Sequence, residues 1–411
     1  MTSSNPAAGL PAAGRFALAA ALVSSFGQTF FIGLFGADFR AEFGLGEAGL
    51  GLLYGAATLV SGLLMFWLGA IADHWRLARA AILSTGLLAG GALGIALAEE
   101  LWHLAVGLFL VRLGGQGLTG HLAVVAAARY ARRRRGRAVA MASYGFILGE
   151  AVFPLLVASV LGVLAWHQVW LLAALLVVAI TMPGLYLLAA RLQSPVAEDH
   201  DSDSGSGKIL ARRELFIHGG FLRVLGVVLV PPVLVTAVFL HQGTLGEIQG
   251  WRLAEVARGF VLFAAMQGLL AFVGGRLIDR FSARALLRFA LLPAGVAMLG
   301  LGLLPSQVAL WLLFAGLGMT AGLNGVISGA VWVELFGTAQ LGMIRGVYAA
   351  LMVVSTAVGP VLLGALLAVE VSLLVLGAGF FAYAIVVPAL LVPGIRGFAE
   401  PGQKGAPGPC R

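Results

Sequence analysis

The chain has 411 residues, of which 60% are apolar and only 11% charged, and its mean hydropathy is +0.99. Soluble domains carry about 25% charged residues, so this composition leaves too little polar surface to cover a water-soluble particle. The formal net charge of +8 would suit a polyanionic partner, but its placement along the chain gives another explanation.

At about 20 residues per span, the length accommodates a dozen transmembrane helices. Apolar runs place them near 16–37, 48–71, 80–98, 101–128, 138–163, 168–190, 220–242, 254–278, 285–304, 308–335, 342–369 and 372–392. The runs lack the period-2 alternation of an outer-membrane barrel, so the expected fold is an all-α polytopic membrane protein. The first run is too long for a signal-peptide core and is expected to be retained as a helix. With the N-terminus inside, all but four of the 26 Lys and Arg residues lie on one side; Arg40, Arg252 and Arg258 lie on the other and Arg112 lies mid-membrane. This is the positive-inside asymmetry, and it predicts a multi-pass protein of a bacterial inner membrane with both termini cytoplasmic. The Arg132 to Arg135 run is read as a loop facing lipid headgroups, not as a nucleic-acid site. Cys410 is the one cysteine, so no intrachain disulfide can form.

Between Arg191 and Arg213 the hydropathy collapses into a stretch rich in Pro, Asp, Ser and Gly. The predicted organisation is an N-terminal six-helix bundle over 1–190, a cytoplasmic linker over 191–213, a C-terminal six-helix bundle over 214–395 and a flexible tail over 396–411. An offset of 206 residues brings Gly44 onto Gly250, Gly62 onto Gly268, Gly69 onto Gly275, Asp73 onto Asp279, Gly136 onto Gly342 and Pro154 onto Pro360 without a gap. Aspartate and proline are scarce here, so their coincidence points to an internal repeat. An even number of spans per copy makes the repeats parallel, related by an axis along the membrane normal. Two such bundles can rock about a site at the midplane between them.

The loop after the second span runs from Gly69 to Asp73, and its repeat from Gly275 to Asp279 and Arg280. Glycine there permits close helix approach, and an acid four residues later can accept hydrogen bonds from a neighbouring helix N-terminus or a basic side chain, holding a cytoplasmic gate closed. These G-x-x-x-D loops resemble the cytoplasmic loop signature of the major facilitator superfamily, and the resemblance extends over essentially the whole chain. His74 stands where that signature has arginine and Arg76 where it has glycine; the second copy keeps Arg280 but has Ser282 for the glycine. The fourth span carries Arg112, Gln116 and Gly117, which resemble the family's R-x-x-x-Q-G signature. The fifth carries Gly145, Gly149 and Pro154, with Leu155 and Leu156 in place of the paired glycines of the family's exchanger signature. The resemblance implies two six-helix bundles with pseudo-two-fold symmetry and a cavity lined by the first, fourth, seventh and tenth helices.

Arg112, Gln116 and Thr119 are spaced to share one helical face. An arginine at a helix centre costs about 2.5 to 3.5 kcal/mol on insertion scales, which calls for a partner. Counting 1.5 Å per residue from the opposite ends of the fourth and fifth spans brings Arg112 and Glu150 to similar depth, so a buried pair or shared network is expected. Glu150 then exchanges a proton or Arg112 meets an anionic solute; the alternative is a static pair. His121 is open between a proton relay and a packing role. His241 and Gln242, after a Pro231-Pro232 break that must disturb the seventh helix, are either a gate at the outer mouth or interfacial residues. Asn324 in the tenth span is a candidate solute ligand, with Gln28, Thr29 and Phe30 in the first and Gln267 in the eighth weaker ones, while Glu334 is expected to pair with Arg345 or the basic loops.

No G-x-x-x-x-G-K-[ST] loop, H-E-x-x-H motif or paired-cysteine metal site occurs, since Gly207-Lys208 is followed by Ile209, so neither an enzyme nor a cofactor is expected. The sequence reads as a monomeric secondary transporter whose partners are a small organic solute, with an organic anion first in view, and the proton. The alternatives are proton-exchange efflux of drugs or metabolites and a non-transporting sensor.

Overall fold

A computed structural model of the chain describes residues 12–69, 71–131, 135–192, 212–337 and 340–395. The described residues are helical almost throughout and contain no strand. Among the described residues, ten helices are long and apolar enough to cross a membrane: Glu47–Leu68 (α2), Leu77–Ala96 (α3), Leu101–Arg129 (α4), Gly136–Val160 (α5), Trp166–Ala190 (α6), Gly219–Leu240 (α7), Leu253–Phe281 (α8), Ser306–Phe336 (α10), Leu341–Ala368 (α11) and Leu373–Gly394 (α12). A bent pair, Ala12–Gly27 and Thr29–Phe43, forms α1, and the shorter Leu292–Leu303 is α9. Most of the predicted linker and the whole predicted tail lie outside the described residues.

The internal repeat is visible in the backbone. Gly44 (φ +63°) ends α1 and Gly250 (φ +72°) ends the short helix Gln242–Gln249 that extends α7. Both adopt the left-handed conformation that costs a Cβ-bearing residue, and each reverses the chain into the next helix, α2 or α8. Pro154 lies inside α5 and Pro360 inside α11.

The two bundles meet through α2 against α11 and α5 against α8. Small residues set the first contact: Gly51 faces the Pro360 carbonyl and Gly55 faces Ala357 and Val361. In the second, Ile147 packs against Gly268. Without a hydrophobic driving force between helices in lipid, such close backbone approach supplies the packing.

The arginine-rich loops, including Arg76, Arg79, Arg129 and Arg284, define one side of the molecule. The opposite side is closed. There Gly33 of α1 abuts the Phe239 carbonyl of α7, and Phe30 of α1 meets Phe260 of α8 with ring centroids 6.0 Å apart. Phe260 belongs to a cluster with Phe239 and Phe314, and edge-to-face and tilted pairs of this kind add stabilisation beyond their buried area.

Candidate functional site

The first span is not a continuous helix. Ser24–Gly27 tightens into a 3-10 turn and Gln28 is extended (φ −86°, ψ 153°) before the helix resumes at Thr29. The serine run favours the break, since Ser24 Oγ donates back to the Ala21 carbonyl at 2.7 Å and so competes with the helical ladder. Gly27 occupies the break because nothing larger fits: a Cβ there would collide with the Val111 carbonyl and the backbone of Gly115 and Gln116 in α4.

The break frees the Gly27 carbonyl, and Arg112 takes it, donating from Nη1 at 3.0 Å. Arg112 Nε donates to Thr58 Oγ1 at 3.1 Å, and its guanidinium lies 5.0 Å from the centre of the Tyr54 ring. The Tyr54 hydroxyl in turn hydrogen-bonds Thr29 Oγ1 at 2.6 Å. Arg112 is 2% exposed, so α1, α2 and α4 are joined around a cation whose partners in this network are all neutral.

The expected Arg112–Glu150 pair is not formed. No ion pair joins them, and Glu150 Oε2 is buried without a hydrogen-bond partner. The reason is the packing of α1. Its broken segment sits against α4 at Gly27–Gly115 and against α5 at Ser25–Gly149, so it intervenes between helices that are consecutive in sequence. Matching depth from helix rise gave the height of each residue but not what stood between them. The shared face of Arg112, Gln116 and Thr119 is also altered: Arg112–Thr119 is π-helical, and Thr119 Oγ1 bonds the Gly114 carbonyl at 2.6 Å.

Asn324 has a defined task. Pro232 lacks an N–H, so the Val228 carbonyl four residues earlier loses its helical donor. Asn324 Nδ2 replaces it at 3.2 Å, leaving Oδ1 buried and unpartnered. Asn324→Leu should cost about 1 to 3 kcal/mol through the orphaned carbonyl. In a Pro232→Ala background, where the backbone donor is restored, the cost should fall by at least half. Equilibrium unfolding of the four proteins of this cycle checks both.

Gln116 Oε1, Glu150 Oε2, Gln267 Oε1 and Asn324 Oδ1 are buried oxygens without partners. With Gln28 and Arg112 they lie within about one turn of the midpoints of their helices, on α1, α4, α5, α8 and α10. The structure thus holds a polar layer at mid-depth in both bundles. Buried polar groups are ordinarily paired, which makes these oxygens candidate contacts for a solute.

The gate residues fare differently. Gly69 ends α2 and lies beside His121 Nε2, which places His121 at the arginine-rich end of α4 and away from the mid-depth layer. The Asp73 side chain lies outside the described residues. In the second copy, the close helix approach expected at Gly275 is absent, with nothing within 4 Å of an added Cβ, and Gly274 makes the contact instead, against Val326. Asp279 and Arg280 are exposed, the latter beside the Phe281 ring. The expected acid-to-helix contact is made by Glu334, which accepts from the backbone N–H of Ala283 at 2.6 Å and of Arg284 at 3.1 Å. Glu334 therefore does not pair with Arg345, which donates to the Gly329 carbonyl.

His241 and Gln242 lie at the closed side, between the bundles. His241 is 1% and Gln242 3% exposed, so neither is an interfacial residue. Gln242 Nε2 donates to the Phe30 carbonyl at 3.1 Å, and His241 contacts Glu47 of α2 at 2.9 Å. Sequence reasoning missed Glu47. An acid in the first turn of a helix reads as an ordinary helix-dipole partner, although Arg40, one of few charges on that side, was a signal.

A family model described as Major Facilitator Superfamily matches residues 17–246. No curated protein sequence matches the chain. Among solved structures, the nucleoside transporter NupG is similar at a TM-score of 0.72 with 12% identity, covering 93% of this chain and 98% of that one. The xylose transporter XylE from E. coli, inward open, gives a TM-score of 0.69 and 12% identity over 95% and 97%. A bacterial homologue of the human lysosomal transporter Spinster gives 0.64 and 18% over 94% and 96%. At these identities the likeness is one of fold.

Proposed function

The chain belongs to the Major Facilitator Superfamily, and within that family of membrane transporters we propose that it is a proton-coupled carrier of a small organic anion. The arginine-rich side is taken as cytoplasmic on the positive-inside rule, which makes the closed side external. The observation that carries the reading is Arg112: a guanidinium 2% exposed, at mid-depth, in no ion pair. A cation held among neutral groups in low dielectric attracts an anion far more strongly than it would in water. Gln116, Gln267 and Asn324 supply unpartnered oxygens suited to hydroxyl or N–H groups on the same solute. Glu150, on a helix that packs against the other bundle, carries the proton and cancels the solute's charge during transit. Its gate is a set of bundle contacts, and alternating access follows from rocking the two repeats.

Thermal-shift measurements on the purified protein against organic acids, amines, sugars and nucleosides test the substrate class. A ligand at one hundred times its Kd adds about 2.7 kcal/mol. Carboxylates should stabilise the protein and Arg112→Gln should abolish their effect. Stabilisation by neutral solutes alone would rule out the anion.

A further inference from the structure

The closed side holds a second cluster of ionisable groups, away from the mid-depth layer. Glu47, at the start of α2, gathers three partners: Arg40 Nη1 at 2.8 Å, Thr244 Oγ1 at 2.8 Å and His241 Nδ1 at 2.9 Å. His241 Nε2 lies 3.0 Å from the Pro360 carbonyl of α11. A peptide carbonyl only accepts, so Nε2 carries a hydrogen in this contact. An ionised carboxylate also only accepts, so the contact at Nδ1 needs a proton of its own. Either Nδ1 holds it, as an imidazolium facing a carboxylate, or the Glu47 carboxyl holds it and donates to Nδ1. Both descriptions contain one proton more than a neutral imidazole and an ionised carboxylate held apart.

We infer that Glu47 and His241 form a proton-binding site that latches the two bundles on the external face, so that opening this face releases one proton. The surroundings fit. Arg40 belongs to α1, in the same bundle as Glu47, and also reaches Glu247 at 3.3 Å. Thr244 and Glu247 belong to the extension of α7, in the same bundle as His241. α11 contributes the Pro360 carbonyl and Gly364, where an added Cβ would meet the Glu47 carbonyl and His241 Cε1. Asp38, Gln242 and Glu247 line the adjoining cavity of about 610 Å³. Opening leaves Glu47 with Arg40, a cation that holds it ionised, and leaves His241 without the carboxylate that shares its proton. The site is distinct from Glu150 and does not depend on its role.

Spin labels on cysteines introduced by Glu42→Cys and Ile248→Cys, exposed on this face in opposite bundles, report its opening in a Cys410→Ser background. The full chain in nanodiscs, without solute, has the same pH on both faces, so membrane orientation does not enter. Because the closed state holds the extra proton, the closed-to-open ratio should fall as pH rises, by up to tenfold per pH unit where the closed state keeps that proton and the open state has lost it. Because the surroundings of Glu150 also change with rocking, the latch is read in a Glu150→Gln background, where a pH profile should persist and His241→Gln and Glu47→Gln should each flatten it. In the Glu150→Gln background, a ratio that does not move with pH, or a variant at either latch position that keeps the profile, would overturn the site.

Discussion

Glu150→Gln should carry solute down its own gradient and fail to accumulate it against one. For one proton moved with each solute, an inward acid gradient of one pH unit supplies about 1.4 kcal/mol, a tenfold accumulation ratio in wild-type proteoliposomes. In the variant the ratio should fall to about one while exchange of labelled for unlabelled solute persists. The reasoning starts from the buried Oε2 with no partner. A carboxylate in apolar surroundings with no counter-charge is costly to hold ionised, and desolvation falls on the charged form alone. Protonation lets the group cross between water-facing and protein-facing states, and the amide is locked in the neutral form. Accumulation that survives in Glu150→Gln assigns the proton elsewhere.

The position of Glu150 explains why this group would move with the transport cycle. Gly149, its neighbour in α5, packs on Ser25 at the break in α1, and Ile147, one turn away, meets Gly268 of α8 in the other bundle. Rocking changes the α5–α8 contact while α5 keeps its hold on α1. The carboxyl therefore sits where its surroundings change without its own helix having to unfold.

Much of the architecture was legible because hydrophobic length and charge asymmetry report directly on the bilayer, the solvent that dominates the energetics. The offset that superposed Gly44 on Gly250 found positions that share one left-handed backbone conformation, a demand the sequence meets with the same residue twice. The site was only half legible. Helix rise placed Arg112 and Glu150 near mid-depth, but azimuth and neighbours depend on how α1 packs, and an apolar span with one Gln and two Ser gives little sign that it will break at Gln28. Asn324 was singled out as a polar residue in a span, yet its link to Val228 follows from Pro232 on a different helix. Glu47 and His241 lie 194 residues apart, and no local pattern joins them. Gly275 and Asp279 were read from a motif whose contacts in this half are made by Gly274 and Glu334, one and many residues away.

Arg112→Ala should destabilise the protein by about 2 to 4 kcal/mol, and by the same amount in a Glu150→Gln background. Truncation removes the donors that satisfy the Gly27 carbonyl and Thr58 Oγ1, and hydrogen bonds to charged groups contribute about 1.5 to 3 kcal/mol each. Relief of the desolvated charge offsets part of that loss. Equilibrium unfolding of the four proteins in mixed micelles gives the coupling. Sites without a shared partner add to within about 0.5 kcal/mol, whereas a buried ion pair would leave an uncompensated charge and couple by about 3 to 5 kcal/mol. Arg112→Lys separates the two tasks of the side chain. A lysine keeps the positive charge but presents a point donor, not a fork that can serve Gly27 and Thr58 together. Stability should recover only in part while stabilisation by carboxylates is retained. Full recovery of stability with loss of carboxylate binding would show that the geometry of the guanidinium, and not its charge, is what the solute reads.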